Sequence, residues 1–124
     1  MLGFFPQFKG TDSILLAGDP DDIAQLSEAL ASFVASSQDQ LPIHSRASVS
    51  HLHPAKLYAT RSAQSFDSGF RWLCSAATQS AIQGKLTALA GSGKGHQFFN
   101  LIESPAQLVV SIGEYPSSWW RTHG

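Results

Sequence analysis

The sequence predicts an α+β domain: a two-layer sandwich in which two helices pack on one face of an antiparallel-rich sheet of about five or six strands. Three observations predict it. A short apolar run at 13–17 is followed at once by a helix-start signal and a long 3.6-residue apolar period. Two apolar runs at 97–102 and 107–112 flank the four-residue connection Glu103-Ser104-Pro105-Ala106. A second helical period lies between further short extended runs, so the order is strand, helix, several strands, helix, hairpin. A chain of 124 residues is of ordinary size for one domain with its own core, so residues 1–124 are read as a single domain.

The first strand, 13–17, is closed by Gly18. Asp19 can accept hydrogen bonds from the free N–H groups of a first helical turn, Pro20 has no N–H to lose there, and Asp21 and Asp22 suit the positive end of the helix dipole. Ile23, Leu26, Leu30, Phe33 and Val34 then share one face, which sets a helix over 20–35. Residues 36–42 are polar and broken by Pro42, and read as a loop. Val49, Leu52, Leu57 and Tyr58 mark two short strands within 47–60, interrupted around Pro54. Residues 70–74 read as a further strand. A second helix over 78–90 has Ile82, Leu86 and Leu89 on one face, is weakened by Gly84, and is closed by Gly91 in the left-handed conformation. The runs 97–102 and 107–112 form a hairpin.

Apolar residues make up 43% of the chain and charged residues 14%, leaving a bland surface rich in Ser and Gln that suits association with a partner. The formal net charge of −1 supplies no field for phosphate backbones or anionic lipid, so neither nucleic acid nor a membrane is expected as partner. No run of eighteen apolar residues occurs, and 1–6 lacks the basic start and long apolar stretch of a secretory signal. The single cysteine, Cys74, has no internal partner for a disulfide, which fits the cytoplasm.

Several constellations carry potential chemistry, each with a structural explanation beside it. Gly91-Ser92-Gly93-Lys94-Gly95 has a phosphate loop's composition in the wrong context: it follows a helix, precedes a strand, and has no Ser or Thr after Lys94. His51 and His53 alternate onto one face of a strand and could hold a metal with His44 or His96 as third ligand, but no Cys pair or carboxylate stands at ligand spacing. Asp12, Asp19, Asp21 and Asp22 gather near the end of the first strand, where capping already explains three of them. Cys74 could pair with His96 as nucleophile and base, although its apolar neighbours favour a core role. No metal, cofactor or catalytic residue is therefore assigned.

The informative segment is 108–120, where a buried-strand pattern runs into Gly113-Glu114-Tyr115-Pro116 and then Trp119-Trp120, two of the three tryptophans. Tyr and Trp join a large apolar body to one polar handle, which suits recognition. Adjacent residues in an extended segment face opposite ways, so one of Trp119 and Trp120 can enter the core while the other stays available. Glu114, enclosed by Tyr115 and the tryptophans, has surroundings that would raise a carboxyl pKa by desolvation, but a lone carboxylate is no active site and the preferred reading is a Glu that binds backbone N–H groups at the turn before Pro116. The Gly113-Glu114-Tyr115-Pro116 turn after a strand, in a chain of single-domain length, resembles small bacterial immunity proteins of polymorphic toxin systems. That resemblance implies a non-catalytic α+β domain that binds and blocks a toxin domain, and carries over no functional residue.

The sequence thus leads to a non-enzymatic cytoplasmic protein-binding module with Glu114, Tyr115, Trp119 and Trp120 as its interface. Two alternatives stand beside it. One is a small metal-dependent hydrolase using His51, His53 and the acidic turn Asp19 to Asp22. The other is a structural homo-oligomer subunit.

Overall fold

A computed structural model gives the fold; the structure describes residues 3–8, 13–44, 49–50, 56–61, 69–102, 104 and 107–114. The elements are β1 (Gly3–Phe8), β2 (Ser13–Gly18), α1 (Pro20–Ala35), β3 (Gln40–Pro42), β4 (Val49–Ser50), β5 (Leu57–Thr60), β6 (Phe70–Leu73), α2 (Gln79–Ser92), β7 (Gly95–Asn100) and β8 (Gln107–Ile112). The α+β class with two helices holds. The single sheet does not: the strands divide into a five-stranded sheet, β4-β1-β2-β8-β7, and a three-stranded sheet, β3-β5-β6.

Nor is the pairing antiparallel-rich. β1–β2, β3–β5 and β7–β8 are antiparallel, whereas β1–β4, β2–β8 and β5–β6 are parallel. The physical reason lies in β2 and β8, which are apolar without alternation. Ile14, Leu16, Leu108 and Val110 join the helices in the core. Leu15, Ala17, Val109 and Ser111, on the opposite face, are buried as well. A strand covered on both faces is the pattern of a parallel centre rather than of a half-exposed hairpin. The expected loop at 36–42 also contains β3, an edge strand whose Pro42 lacks only an N–H that an edge can forgo.

α1 occupies the expected range and closes at both ends. Asp19 accepts the Asp22 N–H at 2.8 Å, and the Asp22 carboxylate accepts the Asp19 N–H at 2.9 Å, a reciprocal cap. Its last turn has no basic residue. Arg61, just past β5, supplies one from a distance: Nε donates to Gln38 O at 2.7 Å, Nη1 to Val34 O at 3.3 Å, and Nη2 to Phe33 O at 2.8 Å and Ser36 O at 2.7 Å. The guanidinium also lies 5.0 Å from the Phe33 ring centroid. One side chain thereby adds donors to the carbonyls at the negative end of the dipole, beside the N–H and hydroxyl of Ser36, which also donate to Phe33 O.

α2 ends later than expected. Gly91 stays helical, and Gly93 takes the left-handed conformation at φ 76°. α1 and α2 pack on each other and on the inner face of β2, β7 and β8, and the smaller sheet closes the same core through Ile43, Leu57, Ala59 and Trp72. The two sheets meet where the chain leaves β7: the Ile102 N–H donates to Arg71 O of β6 at 2.8 Å, and the Trp72 and Phe99 rings lie 4.9 Å apart. Among the described residues no helix is long and apolar enough to cross a membrane.

Candidate functional site

The site is built at the outer end of the β7–β8 pair. Register places His96 opposite Ser111, so their side chains share the face turned away from the helices. Gly113 follows β8 with φ 73°, a conformation that L side chains rarely adopt, and a Cβ there would stand 3.3 Å from Gly93 O. That turn brings the next residue, Glu114, back over the cross-strand pair. Ser111 Oγ donates to Glu114 Oε1 at 2.5 Å, and His96 Nδ1 lies 3.1 Å from Oε1 and 3.2 Å from Oε2. Ser111 is buried, while the His96 and Glu114 side chains are 44% and 28% exposed, so the cluster is anchored inside and ends in solvent.

The carboxylate of Glu114 is held below its ordinary value. Burial alone would raise it, but the hydrogen bonds from Ser111 and His96 and the charges of His96 and Lys94 outweigh that effect. The direction is opposite to the desolvation effect weighed from sequence, and the donors are side chains rather than the backbone N–H groups preferred there. Only desolvation by neighbouring aromatics is visible from sequence; the donors lie three and eighteen residues away.

Beside His96 on the same face is Phe98, an exposed large hydrophobic side chain with 47% of its surface open. Its ring meets the imidazole edge-on at 5.1 Å. β7 is an edge strand, and its outward edge is guarded: Lys85 Nζ donates to Phe98 O at 3.1 Å and lies 5.2 Å from the Phe99 ring centroid. A lysine laid on a strand edge opposes pairing with another strand.

The remaining candidates separate. Glu114 belongs to the cluster; Tyr115, Trp119 and Trp120 lie outside the described residues, as do His51, His53, Asp12 and Pro54. His44 is not gathered with His96. Its Nδ1 is 3.2 Å from the N–H and 3.1 Å from the carbonyl of Leu57, and its ring packs edge-on to Tyr58. Asp19 and Asp22 are engaged in the helix cap, and the Asp22 N–H lowers the Asp19 pKa. Among the described residues no three His, Cys, Asp or Glu side chains gather as metal ligands. Cys74 sits in the core, far from a nucleophile's setting, and burial pushes its thiol up to about 12. The glycine-rich segment is a connector: Ser92 Oγ donates to Leu89 O at 2.9 Å and Lys94 O at 3.0 Å, tying the end of α2 to the start of β7.

Sequence reasoning missed Phe98 and Ser111 as members of the site, and weighed His96 only as a third metal ligand or as a base for Cys74, assigning it to neither. Alternation along β7 was the available signal, since it sets His96 and Phe98 on the face opposite Phe99.

A cleft of about 440 Å³ opens where β6, α2 and the end of β7 meet, walled by Trp72, Ala81, Ile82 and Phe99. Its lining holds no charged side chain, and the Thr78 hydroxyl there is used on Leu73 O at 3.1 Å. It provides apolar space without reactive groups.

No protein-family model matches the chain, and neither the curated proteins nor the solved structures contain a match to it.

Proposed function

We propose that this chain is a non-enzymatic protein-binding module acting in the cytoplasm, with its interface centred on Phe98, His96 and Glu114 and continuing into Tyr115, Trp119 and Trp120. One observation carries the reading: an exposed phenyl ring stands directly beside an ordered polar cluster on the outer face of an edge strand. An aromatic anchor flanked by placed polar groups is the composition of an interface centre. Contact is by the face rather than by strand addition, because Lys85 occupies the edge. A net charge of −1 favours a protein over nucleic acid or an anionic membrane. The resemblance to immunity proteins makes a toxin domain the partner class.

The hydrolase alternative has less support. His51 and His53, on which it depends, lie outside the described residues; among the described residues Asp19 and Asp22 are engaged in the helix cap, and the Ser111 hydroxyl is directed to Glu114 rather than to His96.

The test is photo-crosslinking in cells, with a benzophenone amino acid at position 98 and, separately, at Gln25 on the outer face of α1. A discrete adduct with a different protein from position 98, and none from position 25, is the expected result. An adduct of the chain with itself would assign the homo-oligomer, and equal labelling from both positions would remove the interface.

A further inference from the structure

Glu114 does more at this surface than carry a charge: it decides which nitrogen of His96 holds the proton. A carboxylate only accepts hydrogen bonds, and both of its oxygens lie within 3.2 Å of Nδ1, so Nδ1 must be the donor. In its neutral form the ring then has its lone pair on Nε2, and the ring is half-exposed. Ser111, buried and donating to the same carboxylate, fixes the carboxylate and hence the imidazole. The result is a surface acceptor of fixed direction beside the Phe98 ring.

We propose that the Ser111–Glu114–His96 relay presents Nε2 and the Phe98 ring together as a receptor for a tyrosine side chain of the protein partner. The phenol hydroxyl donates to Nε2 while the aromatic body packs on Phe98. A neutral donor is favoured over a lysine or arginine by the charges around the pair. Lys85 has its ammonium at Phe98 O, and the charge of Lys94 acts on Glu114 and lowers its pKa, so two cations are felt at the site. Among the described residues the carboxylate there, that of Glu114, already accepts from Ser111 and His96. An incoming cation meets two like charges and a carboxylate that is already engaged; a phenol meets an open acceptor and an aromatic surface.

This inference rests on reading the surface as an interface, and its test needs no partner. Nitrogen NMR of the imidazole in the intact chain identifies the protonated ring nitrogen. The chain is then titrated with para-cresol, with para-methylanisole, which lacks the donor, and with butylammonium. The expected results are the Nδ1–H tautomer and para-cresol shifts centred on His96 and Phe98. Para-cresol should bind about three- to tenfold tighter than para-methylanisole, and butylammonium more weakly still. His96→Phe removes the acceptor and Glu114→Ala releases the tautomer, so each should abolish the preference for para-cresol. An Nε2–H tautomer, or a ring that carries protons on both nitrogens at neutral pH, would overturn the proposal. So would equal binding of the two aromatics, preference for butylammonium, shifts centred on the cleft beside Trp72, or a preference that survives both substitutions. If crosslinking from position 98 to a different protein persists while these results fail, the interface stands and the tyrosine assignment falls.

Discussion

The two ends of α1 and the end of the β7–β8 pair are both organised by charged side chains, but they spend them differently. At α1 the Asp19–Asp22 cap closes on itself, and Arg61 directs its donors at main-chain carbonyls of 33–38. At β7–β8, Ser111, Glu114 and His96 Nδ1 satisfy one another, and the second nitrogen of the half-exposed ring takes no part in those bonds. The first arrangement closes structure; the second retains capacity for a contact from outside. The difference between structural and functional polar groups here is one of remaining valence rather than of residue type.

Substitutions at each end test that contrast. The largest loss is expected for Arg61→Ala, which removes a charged donor from the carbonyls of Phe33, Val34, Ser36 and Gln38 and should cost about 2 kcal/mol in chemical denaturation. Arg61→Lys keeps the charge without the planar fork and should recover only part of this. A full recovery would show that the dipole, not the hydrogen bonds, is what Arg61 serves.

Ser111→Ala should cost about 1 kcal/mol, because it removes a buried hydroxyl and with it the hydrogen bond that this hydroxyl donates to the Glu114 carboxylate. It should also move the Glu114 titration upward, read by carboxyl carbon NMR. A titration that does not move would mean that His96 alone holds the carboxylate down.

Asp19→Ala should lower the denaturation midpoint by less than Arg61→Ala, and Asp19→Asn by less again, since an amide oxygen can still accept the Asp22 N–H. If the asparagine variant were as damaging as the alanine, the charge rather than the cap geometry would be the stabilising feature.

The smallest effect at neutral pH is expected for Glu114→Gln, because the cluster is partly open to solvent. Its signature is in the pH dependence. A carboxylate with a lowered folded pKa contributes stability that is fully present above its unfolded value, near 4.5, and is lost as pH falls through the folded value. The advantage of the native chain over Glu114→Gln should therefore be constant down to about pH 5 and fade below the ordinary carboxylate range. Stability curves that run parallel through acid would show that Glu114 gains nothing from folding.

Much of the local structure was legible. α1 could be bounded by Pro20 and Ala35 because its cap and apolar period act within three or four residues. The hairpin was legible as a pair but not in register. A four-residue connection at 103–106 would set Ile102 opposite Gln107, whereas β7 ends at Asn100, which pairs with Gln107. A shift of two residues keeps every side chain on its face, so hydrophobic alternation cannot detect it. Yet that shift puts His96, rather than another residue, across from Ser111.

The sequence by itself determined which segments are helical, which strands are apolar, and that Glu114 follows a turn at the end of a strand. It did so because capping bonds and periodic burial are local, and each residue type has a distinct effect on them. Only the tertiary structure decided that β2 and β8 run parallel at the sheet centre, that the strands divide into two sheets, and that His96 meets Glu114 across eighteen residues. Backbone ladders have the same hydrogen-bonding groups whatever the side chains, so strand order and register are chosen by how the whole core packs.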